Sequence, residues 1–141
     1  MYATRDEMTA RFGEREMIEA TDRATPRTGI VDAAVADGAL QDASDLIDGY
    51  VGRRHGLPLP STPPILGRIA CDLARFYLNP INPTDAMIAA YKAALATLAL
   101  IARGDVSLGL PGADAAQPAG GVLVSAGHGR VFDADTLGDF L

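Results

Sequence analysis

The sequence predicts an all-α fold: a small bundle of three long helices, one or two short N-terminal helices, and an extended C-terminal tail with room for a short β-strand. Three observations predict it. Apolar residues recur at three- and four-residue steps through three long stretches, which is helix periodicity and not strand alternation. Hydrophobic residues make up 48% of the 141 residues, yet aromatics only 6% with no tryptophan. A core built from Ala, Leu, Ile, Val and Met favours closely packed helices. Pro and Gly bracket each stretch, as helix boundaries require.

The elements follow in order. In "TRDEMTARFG" Thr4 and Glu7 form a capping box, Met8 and Phe12 share a face, and Gly13 stops the helix. "EREMIEATD" is a second short helical pattern, ended by Pro26 and Gly29 of the loop beyond it. From Asp32 to about His55 the stripe is Val35, Ala39, Ala43, Leu46, Ile47, Tyr50 and Val51, with Asp37, Asp42, Asp45 and Asp48 opposite. Its last turn carries Arg53, Arg54 and His55, a charge order that complements the helix dipole. After "GLPLPSTPP" a helix capped by Ser61 or Thr62, with Pro64 in its first turn, runs to Asn79 and buries Ile65, Ile69, Leu73, Phe76 and Tyr77. The third long helix takes Asn82 as cap and Pro83 in its first turn. It presents Met87, Tyr91, Leu95, Leu98 and Ile101, and stops at Gly104.

Past Gly104 the composition shifts to Gly, Pro and Ala with few large apolar groups, so little surface can be buried. The predicted organisation is a helical domain over 1–104, a flexible linker over 105–121 and a tail over 122–141. The tail has a β-capable run, Val122, Leu123 and Val124, and the apolar anchors Val131, Phe132, Leu137 and Phe140 spaced among acids.

Composition also excludes function classes. A net charge of −6 disfavours nucleic-acid binding through bulk electrostatics, which needs Lys and Arg to neutralise phosphates. A single cysteine, Cys71, makes no internal disulfide, and neither a charged-then-apolar leader nor a membrane span is read from the chain. The expectation is a soluble protein of a reducing compartment that needs no cofactor and no membrane.

Candidate chemistry is thin. One Cys and two His without paired spacing make a poor zinc set, so Cys71 reads as a small hydrophobe on a core helix. Neither His lies in a nucleophile motif. Asp42, Asp45 and Asp48 form a carboxylate row on one helix, more simply a solvated face than an acid-base pair. "GHGR" at 127–130 lacks the setting of a phosphate loop, and "RGD" at 103–105 is a helix end followed by Gly. An enzyme would need a pocket uniting Asp48, His55 and Cys71.

Three stretches, "YATRDEMTARFGEREMIEATD", "ALQDASDLIDGYVGRRHGLPLP" and "PPILGRIACDLARFYL", together resemble a family of small phage proteins typified by a Mu-like prophage head protein, formerly a domain of unknown function. The most specific part is Ile47, Asp48, Tyr50, the basic pair Arg53 and Arg54, Leu57, Pro58 and then Pro64. "RVFDADTLGDF" at 130–140 is similar to that family's close. His55 departs from the aromatic residue expected after the basic pair.

The resemblance implies a head-completion or head-to-tail connector protein, an adaptor and not an enzyme, at the virion neck and assembled in the bacterial host cytoplasm. Implied partners are a portal protein, a tail-side stopper or tail-terminator protein, and further copies in a ring of twelve through which DNA passes without sequence-specific binding. On that expectation Val122, Leu123, Val124, Val131, Phe132, Leu137 and Phe140 dock on the portal or a neighbour, while Arg53 and Arg54 meet Asp42 and Asp45 of the next subunit. The rival from another class is a small helical DNA-binding regulator with Arg53 to His55 on phosphate.

Overall fold

A computed structural model describes residues 1–111 of the chain, and the described residues are all-helical. Five helices follow one another: α1 (Arg5–Phe12), α2 (Glu14–Thr21), α3 (Ala33–Val51), α4 (Pro64–Leu78) and α5 (Asp85–Arg103). The three long helices pack on one another, with α3 against α4, α4 against α5 and α3 against α5, and the short α1 and α2 lie against α3.

The predicted capping box starts α1: Thr4 Oγ1 accepts from the Glu7 amide at 3.2 Å while the Glu7 carboxylate accepts from the Thr4 amide at 2.7 Å. Gly13 closes α1 and opens α2 at φ +92°, a conformation that costs an L side chain and leaves glycine free. At the far end of α2, the Thr21 hydroxyl donates to the Met17 carbonyl at 2.7 Å and accepts from the Asp32 amide at 3.0 Å. One buried hydroxyl therefore joins the end of α2 to the cap of α3. Asp32 in turn accepts from the Ala34 and Val35 amides.

Three boundaries differ from the sequence reading, each for a local reason. Helix α3 ends at Val51, four residues before His55, because the chain turns through Gly52 to His55 and folds Leu57 back over the helix end. A Cβ on Gly52 would lie 2.8 Å from the Asp48 carbonyl and 3.1 Å from Leu57 Cδ1. Helix α4 is entered from Pro63 with no side-chain cap from Ser61 or Thr62. Pro64, at the first position, has φ already fixed and lacks the amide that a cap would satisfy. Helix α5 is capped by Thr84 and not Asn82, with Thr84 Oγ1 accepting from the Met87 amide at 3.2 Å, so Pro83 precedes the cap.

The core also turns slightly from the predicted phase. Ala36, Leu40 and Ser44 are buried on α3 where Val35, Leu46 and Tyr50 were expected, and these three are only half-buried. On α4 Leu66 is buried and Ile65 exposed, while Phe76 and Tyr77, like Tyr91 and Leu95 on α5, are half-buried. The physical reason is close helix packing. Ala36, Ala39 and Ala43 on α3 and Ala70 and Ala74 on α4 occupy the buried faces, and small side chains let backbones approach while large ones flank the seam. Leu40, Ile47, Leu66, Leu73, Leu98 and Ile101 fill what space is left, all at most 1% exposed. Each such side chain contributes about 1.5–3 kcal/mol by burial.

Gly104 ends α5 as predicted, at φ +85°, its amide donating to the Ile101 carbonyl at 3.0 Å and the Asp105 amide to that of Leu100 at 2.9 Å. The compact helical unit extends through Leu108, and a second unit begins at Gly109. Val122 to Phe140, with their predicted strand and docking anchors, lie outside the described residues.

Candidate functional site

The basic segment after α3 is where the sequence concentrated attention, and its three residues have three different fates. Arg53 is exposed, with its guanidinium carbon 5.9 Å from the centroid of the Tyr50 ring, at the outer limit of a cation–π contact. Arg54 reaches across to α5 and donates from Nη1 to the Arg103 carbonyl at 2.9 Å. It thereby caps the C-terminus of a helix 49 residues away in sequence. His55 is buried at 6% exposure, so it is not part of a charged surface, and among the described residues its Nδ1 has no hydrogen-bond partner.

The acidic row of α3 divides likewise. Asp37 pairs with Arg5 of α1 at 2.9 Å. Asp48 accepts from the Tyr2 hydroxyl, and the Tyr2 amide donates to Ser44 Oγ at 3.2 Å, so the N-terminal residues are fastened along α3. Burial first, and then the Asp48 carboxylate, hold the Tyr2 phenol well above the ordinary tyrosine range. Asp42 and Asp45 are exposed; Asp45 accepts from the Gln41 amide nitrogen at 2.8 Å. Among the described residues neither Asp42 nor Asp45 takes part in an ion pair. Of the four residues predicted to join neighbouring subunits, three thus present charges without an ion pair among the described residues, and Arg54 is engaged internally.

Two further clusters were not read from the sequence. Arg75 of α4 grips Glu16 of α2 through two bonds of 2.5 and 3.0 Å, with its guanidinium carbon 4.5 Å from the centroid of the Phe12 ring. This clamp fastens the N-terminal helix pair to α4. Phe76, Tyr77 and Tyr91 form an aromatic group: Phe76 and Tyr91 stack with centroids 4.0 Å apart, and Tyr77 stands edge-on to both. Burial first, and then Tyr91, Asp42 and Tyr50, raise the Tyr77 phenol, and the three rings join the flanks of α4 and α5. The spacing of Phe76, Tyr77 and Tyr91 was visible as a helical stripe. Its half-exposure was not.

An open cleft of about 1000 Å³ lies between the N-terminal segment, α1 and the start of α4, lined by Tyr2, Arg5, Arg11, Asp37, Arg68 and Cys71 among others. Cys71 is buried, and that burial raises its thiol above the ordinary value despite nearby Arg11. Neither Asp48 nor His55 lines this cleft, so the trio an enzyme would need is not brought together. Among the described residues no three His, Cys, Asp or Glu side chains converge as a metal set.

Among the described residues the exposed charges of α3 and of the turn after it are the groups that stand out, and comparison with known proteins gives the chain its family. Over 123 residues it is 38% identical to gene product J of Escherichia phage Mu, covering 87% of this chain and 86% of the relative. Over 141 residues it is 33% identical to the Mu-like prophage FluMu protein gp36 of Haemophilus influenzae, covering 100% and 99%. The profile of the family described as Bacteriophage Mu, Gp36 matches residues 2–126, the whole helical unit and the start of the chain beyond it. The protein belongs to the phage Mu Gp36 family.

Proposed function

We propose that the chain is a structural head-to-tail adaptor of a tailed phage or phage-derived particle, not an enzyme, forming a ring beneath the portal and joining capsid to tail. The observation that carries the reading is the charge layout of the helical unit. Asp42 and Asp45 on α3 and Arg53 just past its end are exposed and, among the described residues, without an ion pair. A ring needs two unlike surfaces that associate head to tail, and an acidic helix side with a separate cation supplies them. Membership of a phage family supports the setting, the virion neck, and twelve copies is the expected ring.

In this reading Asp42 and Asp45 of one subunit face Arg53 of the next, with Arg54 holding the end of α5 beside it. The tail carries the contact to the portal, or to an adjacent subunit, through Val122, Leu123, Val124, Val131, Phe132, Leu137 and Phe140, and a stopper or tail-terminator protein binds on the other side. Net acidity lets DNA pass without being gripped. Each exposed ion pair is worth only about 0–1 kcal/mol, so repetition around the ring is what makes the set effective.

The test is assembly. A chain truncated after Leu108 keeps the compact helical unit intact and should no longer attach to portal-bearing heads; full attachment refutes the docking role of the tail. Reversing Arg53 to Glu should weaken ring formation while circular dichroism keeps its helical signal, and an unchanged ring refutes the lateral contact. A duplex DNA titration over salt should show no tight, salt-sensitive binding, which is what a regulator would give.

A further inference from the structure

Helix α5 is more apolar than its burial accounts for. It is long and apolar enough, by length and composition, to cross a membrane, yet only 22% of its most apolar window is buried. Four of its 19 residues are buried, against seven of 15 in α4. At about 100° per residue, the buried Met87, Ala94, Leu98 and Ile101 fall on one side. The exposed Ala89, Ala93 and Ala96 fall on the other, with half-buried Ile88 and Leu95 on the flank that leads to Tyr91. Lys92 interrupts this strip, exposed, and among the described residues it has no ion pair.

We propose that the outer side of α5, with the aromatic margin of Tyr77 and Tyr91 beside it, is the surface on which a second copy of this chain docks, Lys92 of one copy joining Arg53 against Asp42 and Asp45 of the other. The proposal deepens the ring reading and rests on it for the number of copies. Charge complementarity selects the occupant. Among the described residues, the apolar strip carries one cation without an ion pair and the exposed side of α3 two carboxylates without one. The aromatic margin joins the strip to α4, the ring centroids of Tyr77 and Tyr91 lying 6.2 Å apart.

Area agrees with a contact larger than one helix. Nineteen residues span about 28 Å at roughly 1.5 Å each. With a width of roughly 10 Å this gives about 280 Å², a third of the roughly 800 Å² per partner that a specific interface takes. The aromatic margin and the α3 side must supply the rest, and aromatic residues are what the centres of such interfaces are enriched in. A lipid surface fits worse. Helices that lie on membranes carry Lys and Arg along their polar side, whereas α5 opens with Asp85 and has one mid-helix Lys in a chain of net charge −6.

Sedimentation velocity of the full chain over a concentration series tests the proposal. The wild type should self-associate, and Ala96→Arg, which puts a charge into the strip, should weaken association roughly a hundredfold with unchanged helical circular dichroism. Lys92→Glu, and Asp42→Lys with Asp45→Lys, should each weaken it about tenfold, and the chain carrying all three changes should recover most of the loss. Association that ignores Ala96→Arg overturns the α5 surface while leaving the ring reading standing, as does a triple variant no better than its parents. A wild type that stays monomeric throughout overturns the self-docking proposal. A monomer that pelts with phosphatidylglycerol vesicles in an Ala96-dependent way replaces the second copy with lipid.

Discussion

Substituting Gly104 by Ala tests the junction where the turn after α3 meets the end of α5. The backbone there has φ +85°, and holding a residue with a Cβ in that region costs about 1–2 kcal/mol. The new Cβ would also sit 2.3 Å from the Arg54 guanidinium carbon and 2.6 Å from both of its terminal nitrogens. The guanidinium has to move, and its 2.9 Å bond to the Arg103 carbonyl is lost. A hydrogen bond from a charged donor is worth about 1.5–3 kcal/mol when buried, and about 0.5–1 kcal/mol is a fair share at this exposed site. Gly104→Ala should therefore cost about 1.5–3 kcal/mol in urea unfolding followed by circular dichroism, and Arg54→Ala alone about 0.5–1 kcal/mol. In the Arg54→Ala background the clash is absent, so the glycine change should cost only the backbone term. A coupling of about 0.5–1 kcal/mol is the signature. Strict additivity of the two changes would show that Arg54 does not hold the end of α5.

Other consequences are checked by the same unfolding measurements. Arg75→Lys keeps the charge but loses the two-point grip on Glu16 and the contact over Phe12, and should cost about 1–2 kcal/mol. Leu73→Ala empties a fully buried position on α4 and should cost about 2–5 kcal/mol, near the limit for a domain of this size; a loss below about 1 kcal/mol would mean the site is not packed as described. For Tyr2 the sign follows from a raised phenol: folding favours the protonated form, so its contribution is complete below about pH 10 and fades as pH rises above that. Tyr2→Phe should thus be less stable than wild type at neutral pH, and the gap should close on the alkaline side, as pH-dependent unfolding midpoints would show.

Local signals were legible where chain neighbours decide the outcome. Thr4 with Glu7, Asp32 and Gly104 each terminate a helix through bonds made within a few residues, and those boundaries were readable from spacing alone. The sequence reading takes Asn82 as the cap of the last helix, but Thr84, two residues on and with Asp85 in the first turn beside it, fixes where α5 begins. The phase of the buried stripes was harder. A hydropathy pattern weights Phe76, Tyr77 and Tyr91 as core because they are large, whereas closely crossing helices give the central positions to Ala70, Ala74 and Ala94. The pairings of Arg75 with Glu16 and Arg54 with Arg103 span 59 and 49 residues. No local pattern announces them, because they exist only once three helices have packed. The same holds for His55, which reads as a cation in sequence and becomes buried when the chain folds back past Gly52.

The Arg54 bond to the last carbonyl of α5 works as a cleat. In the adaptor role proposed above the chain would be pulled by its attachments, and tension entering the helical unit at Leu108 would run first into Gly104 and Arg103, where a helix ordinarily begins to unzip from its frayed end. Here that end is tied crosswise to the turn behind α3, so the pull is shared with a second helix before the α5 ladder feels it. Resistance of the unit to being peeled apart from its C-terminal side therefore depends on one side chain 49 residues upstream.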